Sequence, residues 1–242
     1  MKALQGQVAV VTGASSGIGK AIAQALCAQG AALCLVGRDA TALESVAKAA
    51  LQLGVRAECY RCDLEDEREV DELLTKLRSD SAVIDMLVHS AGIYRAGYLE
   101  QAPVADFDRQ FWINVRAPFV LTQALLPILR KRRGQVVFIN STAGLNASTG
   151  VGLYSATKHA LKALADSLRA EVNSDGVRVL SVYPGRTASP MQAAIIALEG
   201  RAYLPEKLLQ PDDVAATVVS ALMLPRTAEV TDVNIRPLTK IL

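Results

Sequence analysis

The sequence of 242 residues has few aromatic side chains, no excess of one charge and only two histidines. Aromatic residues make up 5% of the chain, and 26 Lys and Arg stand against 24 Asp and Glu, which gives a net charge of +2. Such a small excess creates no long-range field for a polyanion, and the basic residues cluster only at positions 130–133. We therefore expect no nucleic-acid partner and no attraction to an anionic membrane.

Long apolar runs are also missing. Gln5, Gly6 and Gln7 interrupt the N-terminal segment, so it lacks the apolar stretch that directs secretion. The stretch 21–37 carries no charge but contains Gln24, Gln29 and Gly30, and it is more typical of a helix followed by a strand than of a membrane span. We expect a cytoplasmic protein with no membrane partner.

Cysteine is scarce, with four residues at positions 27, 34, 59 and 62. Cys59 and Cys62 form one C-x-x-C pair, but no second Cys or His pair follows at a spacing that binds zinc. A redox role is the weaker alternative, because redox C-x-x-C motifs open a helix whereas this pair closes a predicted strand. We expect reduced, buried thiols and no metal site.

The sequence does contain a regular alternation of short apolar runs and helical periodicity, without a linker or repeat. The pattern predicts strands at 8–11, 31–36, 55–60, 83–88, 136–139, 177–182 and 230–235. It predicts helices at 17–29, 41–53, 66–79, 104–133, 152–174 and 211–224, with Pro118 and Pro127 kinking or dividing the fourth. This alternation predicts one α/β domain over residues 1–242, a Rossmann-type, doubly wound parallel sheet of about seven strands with helices on both faces. Its ligand crevice is expected at the carboxyl ends of the strands.

A glycine-rich turn, Thr12-Gly-Ala-Ser-Ser-Gly-Ile-Gly19, joins the first predicted strand to the first helix. Its three glycines have no Cβ atoms, so the backbone can approach a pyrophosphate while the free N–H groups of the helix point at it. The position between a strand and a helix favours a dinucleotide site. The candidate contacts in this turn are Gly13, Ser15, Ser16, Gly17, Ile18 and Gly19.

The end of the second predicted strand indicates which dinucleotide is preferred. NAD-binding folds usually place an acidic side chain there to accept from the ribose 2′-hydroxyl. In this chain Gly37 takes that position, and Arg38 supplies a guanidinium that suits a 2′-phosphate. Asp39 leaves an alternative open, because it can pair with Arg38 or contact a 2′-hydroxyl itself. We predict NADP(H) over NAD(H).

The turn and several later features resemble the short-chain dehydrogenases/reductases, whose pattern T-G-x-x-x-G-I-G the turn matches. The further features follow in order along nearly the whole chain: Asp63-Leu64, Ala91-Gly92, Asn114, Ser141, Tyr154-x-x-x-Lys158 and Pro184-Gly185. The resemblance implies an oxidoreductase that transfers a hydride between a nicotinamide and a carbonyl or secondary-alcohol substrate.

The resemblance implies catalytic roles for Asn114, Ser141, Tyr154 and Lys158. Tyr154 would exchange a proton with the substrate oxygen, Ser141 would hydrogen-bond that oxygen, and Lys158 would hold the nicotinamide ribose. Asn114 would organise a proton path behind Lys158 in a distorted long helix. Residues four apart share a helix face, and a neighbouring ammonium is expected to lower the pKa of Tyr154 from about 10.

Further cofactor contacts are implied by the resemblance. They are Asp63 and Leu64 at the adenine, Ser90, Ala91 and Gly92 at a ribose, and Pro184, Gly185, Thr187 and Ser189 at the nicotinamide. A helix N-cap is the alternative for Asp63. His89 and Ser90 depart from the family's usual paired asparagines, and we expect His89 to be a packed rather than a catalytic histidine.

The segment 186–210 lies where the family carries its substrate-covering loop. Its apolar residues, with Leu145 and Leu153 across the site, predict an apolar lid: Met191, Ile195, Ile196, Leu198, Tyr203 and Leu204. Arg186, Arg95 and Arg201 are the candidates for binding a substrate carboxylate.

The resemblance also implies a homodimer or homotetramer, and the absence of a V-D-G-G ending at 231–237 favours the dimer. A non-catalytic NADP(H)-binding regulator and an NAD(H)-dependent alcohol dehydrogenase remain alternatives. A lyase or epimerase with a larger substrate domain is disfavoured, because too few residues follow the sixth strand.

Overall fold

Seven short strands form one sheet in the order β3-β2-β1-β4-β5-β6-β7, and every neighbouring pair is parallel. The computed structural model describes residues 2–80 and 83–239. The strands are β1 (Val8–Thr12), β2 (Ala32–Gly37), β3 (Ala57–Arg61), β4 (Met86–His89), β5 (Gln135–Ile139), β6 (Arg178–Pro184) and β7 (Asp232–Ile235). The order reverses between β1 and β4, which is where such sheets open a crevice for a ligand.

The helices lie on both faces of this sheet. They are α1 (Gly17–Ala28), α2 (Ala40–Gln52), α3 (Glu67–Asp80), α4 (Val104–Phe111), α5 (Ala117–Arg132), α6 (Gly152–Val172), α7 (Pro190–Leu198) and α8 (Pro211–Leu222). Helices α1, α2 and α8 bury their apolar residues in one hydrophobic cluster, and α3, α5 and α6 bury theirs in another. The predicted Rossmann-type sheet is confirmed.

Side-chain alternation along β1 explains the two clusters. Ala9 and Val11 belong to the α1 side, whereas Val10 belongs to the α5 side. Successive residues of a strand point to opposite faces, so a central parallel strand with helices on both sides needs apolar residues at every position.

The predicted helix over 104–133 is interrupted by a π-helical stretch, Trp112–Arg116, between α4 and α5. Pro118 lies in the first turn of α5, directly after this stretch, and Pro127 lies inside α5 without ending it. A proline has no N–H to donate to the carbonyl four residues earlier. Pro118 therefore cannot donate the regular α-helical hydrogen bond to the carbonyl four residues earlier. The wider π-helical turn lies at this position, where that bond is missing.

The segment Val104–Arg132 is long and apolar enough to cross a membrane by length and composition alone. Its apolar side, however, is part of the core, since Leu121, Leu125 and Leu129 are fully buried in the cluster against the sheet. These are the features of a core helix.

None of the four cysteines, all in the described part of the chain, forms a disulfide, and three of them are buried. The expectation of burial is wrong for Cys59, which is exposed. The reason is that β3 is an edge strand, and Cys59 points away from the cluster that contains Tyr60 and Cys62.

Candidate active site

A cleft of about 330 Å³ lies at the carboxyl ends of β1, β2 and β4, where the strand order reverses. Most of the predicted cofactor contacts border it: Gly13, Ser15, Ser16, Gly17, Ile18, Gly19, Arg38, Asp63, Leu64, Ser90, Ala91, Gly92, Tyr154, Lys158 and Ser189. The structure thus brings together residues from six separate parts of the chain.

A second cleft of about 370 Å³ adjoins the first, and Tyr154 and Ser189 border both. The remaining predicted residues of the nicotinamide region, Pro184, Gly185 and Thr187, line this second cleft together with Ser141. Among the predicted catalytic and cofactor-contacting residues, all of which lie in the described part of the chain, only Asn114 borders neither cleft.

Two glycines of the turn, Gly13 and Gly19, are required by close backbone contacts. Gly13 has a φ of +68°, and a Cβ there would lie 2.8 Å from the Ala91 nitrogen. A Cβ on Gly19 would lie 2.3 Å from the Gly13 carbonyl oxygen. Thr12 ties the same two segments together, because its Oγ1 accepts from the amides of Ser90 (3.1 Å) and Ala91 (3.2 Å).

Gly19→Ala is therefore expected to distort the turn. Overpacking against backbone costs roughly 3 kcal/mol, which predicts a drop in Tm of about 6–12 °C in a chain of this size and at least a tenfold rise in the Kd for NADPH. Thermal melting and a fluorescence titration measure the two effects.

Gly97→Ala is the matched control for Gly19→Ala. Gly97 also has an ordinary φ, and a Cβ added there would have the Ala102 side chain as its nearest neighbour at 3.8 Å, a normal contact. Equal melting temperatures and equal NADPH affinities for the two variants would show that the turn tolerates a Cβ.

Arg38 borders the first cleft at the end of β2. None of the ion pairs among residues 2–80 and 83–239 includes Arg38. The Asp39 side chain instead accepts from the Ala42 amide at 3.0 Å and caps α2. The guanidinium of Arg38 is thus not occupied by its acidic neighbour.

Helix α6 places Tyr154 and Lys158 one turn apart, with the Lys158 Nζ 5.7 Å from the centre of the Tyr154 ring. Lys158 is 4% exposed, and its Nζ donates to the Ile139 carbonyl at 3.0 Å. Burial lowers the pKa of Lys158 to about 8.

The expected lowering of the Tyr154 pKa is wrong for the protein alone. Burial raises the pKa of Tyr154 to about 12, and a hydrogen bond with Ser141 opposes only part of this rise. Desolvation disfavours the phenolate, and it outweighs any help from the ammonium at the observed separation.

Asn114 lies in the π-helical stretch and is buried. Its Oδ1 accepts from the Ile93 amide (2.8 Å), while its Nδ2 donates to the Ile93 carbonyl (2.9 Å) and to Thr157 Oγ1 (3.1 Å). The carboxamide therefore fastens the segment after β4 to the helix that carries Lys158. The proton path assigned to Asn114 remains a prediction.

His89 is a packed side chain, as expected. It is buried, its ring stacks on Phe138 with centroids 4.9 Å apart, and Nε2 hydrogen-bonds Thr122 Oγ1 at 2.8 Å. Burial lowers the pKa of His89 to about 3, so the imidazole is neutral near pH 7.

The apolar lid is only partly as predicted. The segment after β6 folds into α7, and two of its predicted lid residues, Met191 and Ile195, border the second cleft. Ile196, Leu198, Tyr203 and Leu204 do not, and neither do Leu145 and Leu153. Helical periodicity explains this, because α7 turns Ile196 into the protein interior and leaves Leu198 77% exposed.

The candidate carboxylate clamp is already occupied by the protein. Arg186 forms two hydrogen bonds to Glu199, at 2.6 and 2.8 Å. Arg201 lies 3.5 Å from the same carboxylate, and Arg95 lies 3.6 Å from Asp106.

Several polar residues of the second cleft were not predicted from the sequence, among them Tyr94, Gln192 and Glu199. Tyr94 packs edge-on against Tyr154 with ring centroids 5.1 Å apart. No motif marks these positions, because they meet only after the segment following β4 and helix α7 fold over the same sheet edge.

The sheet order, the glycine turn and the cleft at the strand ends define a Rossmann-type dinucleotide-binding protein. The chain belongs to the short chain dehydrogenase family, whose model matches residues 7–199.

Known relatives agree with this assignment over nearly the full length. An uncharacterised oxidoreductase of Staphylococcus epidermidis is 34% identical over 98% of this chain and 100% of its own. An alcohol dehydrogenase from the archaeon Thermococcus sibiricus, solved with 5-hydroxy-NADP, superimposes with a TM-score of 0.89 at 28% identity and covers 98% of each chain. A metagenomic short-chain oxidoreductase solved with NADP gives a TM-score of 0.83 at 31% identity, covering 98% of this chain and 100% of its own. The protein is thus an oxidoreductase of this family.

Proposed function

We propose that the protein is an NADP(H)-dependent oxidoreductase that transfers a hydride between the nicotinamide and a carbonyl or secondary-alcohol substrate, with Tyr154 as general acid and base. The observation that carries the proposal is the position of Tyr154. It borders both clefts, next to Lys158 in the first and Ser141 in the second. A group held in one cleft and a substrate held in the other would therefore meet at this hydroxyl.

The residues of the first cleft fit a nicotinamide dinucleotide. The glycines of the turn border this cleft without side chains, and α1 begins at Gly17, so the free N–H groups of a helix start lie beside the cleft, which suits a pyrophosphate. Arg38 would bind a 2′-phosphate, Asp63 and Leu64 the adenine, and Lys158 the ribose of the nicotinamide. When bound, the cofactor supplies the hydride from the nicotinamide ring.

The protein's own groups would handle the proton. The raised pKa of Tyr154 keeps its hydroxyl protonated near pH 7, so in reduction this hydroxyl can donate to the carbonyl oxygen. Ser141, which lines the second cleft together with Tyr154, would hold the same oxygen in place. Lys158 donates one N–H to the Ile139 carbonyl. Because an ammonium has three N–H donors, two remain for the ribose hydroxyls.

Arg38→Gln is expected to lower kcat/KM for NADPH by about 10- to 100-fold, because a charge-assisted hydrogen bond to phosphate contributes roughly 1.5–3 kcal/mol. The value for NADH should stay within about twofold, since NADH has no 2′-phosphate. Steady-state kinetics with both cofactors measures the ratio.

Arg61→Gln removes the same charge from the neighbouring strand and is the control for Arg38→Gln. Arg61 pairs with Glu69 at 2.9 Å and does not border the first cleft. If the wild-type enzyme has a higher kcat/KM with NADH than with NADPH, the NADP(H) assignment is wrong.

The reaction itself is tested by loss of NADPH absorbance with a panel of ketones, quinones and β-ketoacyl thioesters. Stoichiometric oxidation supports the proposal. Tight NADPH binding with no turnover across the panel would favour the non-catalytic regulator, and turnover restricted to NADH would favour the NAD(H)-dependent alcohol dehydrogenase.

Two proposals concern the whole chain. We propose that residues 1–242 act as one domain in which the segment 186–210 covers the substrate, and that the protein forms a homodimer or homotetramer. The half-exposed Phe119 on α5 supports a contact between copies. Size-exclusion chromatography with light scattering measures the assembly.

A further inference from the structure

Gln192 carries a buried hydrogen-bond donor that the protein does not use. The residue lies in the first turn of α7 and is 8% exposed. Its side-chain Nε2 is fully buried and has no hydrogen-bond partner among the described residues. Folding an amide away from water without a partner costs stability, so an unpaired donor at a cleft indicates a ligand that completes it.

The residue that carries this donor lies on the cleft assigned to the substrate. Gln192 borders it together with Ser141 and Tyr154. A second buried polar atom, the Oγ of Ser155, also lacks a partner within the described residues, and Ser155 borders the same cleft. A purely hydrocarbon substrate would leave both of these polar atoms unsatisfied.

The charges around Gln192 limit the chemistry of its partner. Arg186 and Glu199, which also border the cleft, neutralise each other through two short hydrogen bonds. A substrate carboxylate would have to displace Glu199 from Arg186 and leave that carboxylate only its longer contact with Arg201, at 3.5 Å. An uncharged oxygen can accept from the Gln192 amide without disturbing the ion pair.

We propose that Gln192 determines specificity by donating a hydrogen bond from Nε2 to a second, uncharged oxygen of the substrate. The inference rests on the proposed function and refines its substrate class. The preferred substrates are carbonyl compounds that carry a further keto, ester or hydroxyl oxygen close to the reacting carbonyl.

A matched pair of substrates tests this role. Ethyl acetoacetate carries an ester beside its ketone, and 2-heptanone has the same chain length with methylene groups in place of the ester. In Gln192→Met the ratio of kcat/KM for ethyl acetoacetate to that for 2-heptanone should fall about 10- to 100-fold relative to wild type. Comparing the ratio between proteins removes the difference in intrinsic reactivity of the two ketones. The value for 2-heptanone itself should change by less than about threefold.

Two further variants separate recognition from packing. Gln192→Glu keeps the shape of the side chain but has no N–H donor, so the ratio of kcat/KM values should fall in this variant as well. If Gln192→Met does not fold, Gln192→Glu provides the test. Ile195→Met introduces the same residue at another position on the cleft and should leave the ratio unchanged. A general loss of structure would lower kcat/KM for both substrates equally and would leave their ratio unchanged.

The two proposals fail in different ways. If 2-heptanone is reduced but the ratio is the same in wild type, Gln192→Met and Gln192→Glu, the role of Gln192 is wrong and the proposed function stands. If wild type binds NADPH and reduces neither compound nor any member of the wider panel, the proposed function is overturned.

Discussion

Tyr154→Phe is expected to lower kcat by about 10²- to 10⁴-fold, the usual contribution of a positioned general acid, while the Kd for NADPH stays within about threefold. Phenylalanine keeps the ring in place on α6 and removes only the hydroxyl that borders both clefts. Burial and packing of the ring are retained, so the fold and the first cleft should be preserved. Steady-state turnover and a fluorescence titration of NADPH measure the two quantities.

Tyr94→Phe is the control for this loss. The Tyr94 ring packs edge-on against Tyr154 and borders the second cleft, but it has no assigned role in proton transfer. We expect kcat to change by less than about threefold. If Tyr154→Phe keeps full activity, or if Tyr94→Phe loses as much, then Tyr154 is not the general acid.

Local rules explain why much of the first cleft could be predicted. Gly19 is specified by a contact within a short turn, and Gly13 by its contact with the segment that follows the adjacent strand β4. Such a turn has a recognisable spacing. The alternation of strands and helices likewise reflects the burial of both faces of a parallel sheet. The position of Asn114 in a distorted helix followed from the family resemblance, and the π-helical stretch is where it was expected.

Long-range packing determines the features of the site that could not be predicted from the sequence. The pKa of Tyr154 depends on how completely the surrounding chain excludes water, and a Y-x-x-x-K spacing contains no information on burial. The Arg186–Glu199 pair links residues 13 apart, and it exists only because α7 folds back over the loop after β6. Gln192 is informative for the same reason, since its missing partner is visible only once its neighbours are placed.

Lys158→Met is expected to be nearly inactive and yet more stable than the wild-type protein near neutral pH. Loss of the ammonium that would position the cofactor ribose should lower kcat/KM by at least about 100-fold. The wild-type protein meanwhile buries a charge, since the pKa of Lys158 falls from 10.5 to about 8 on folding. This shift corresponds to roughly 3 kcal/mol. Subtracting about 1 kcal/mol for the lost bond to the Ile139 carbonyl, the variant should gain about 2 kcal/mol in free energy of unfolding at pH 7.

The pH dependence distinguishes this effect of charge from simple repacking by methionine. Below pH 8 Lys158 is protonated in both folded and unfolded wild-type protein, so the cost of burying its charge is fully present. Between pH 8 and 10.5 the unfolded state binds more protons than the folded state, and wild-type stability therefore rises relative to Lys158→Met. The advantage of the variant should shrink through this window and vanish before pH 10.5, because the roughly 3 kcal/mol cost of the buried charge exceeds the net advantage of about 2 kcal/mol. Urea unfolding at intervals of pH measures the change. Lys162→Met is the control. It replaces a half-exposed lysine one turn further along α6 that pairs with Asp166, and it should show neither the gain in free energy of unfolding nor the loss of activity. A constant advantage of Lys158→Met from pH 7 to 10.5 would mean that its gain comes from packing and that Lys158 is not held as a buried charge.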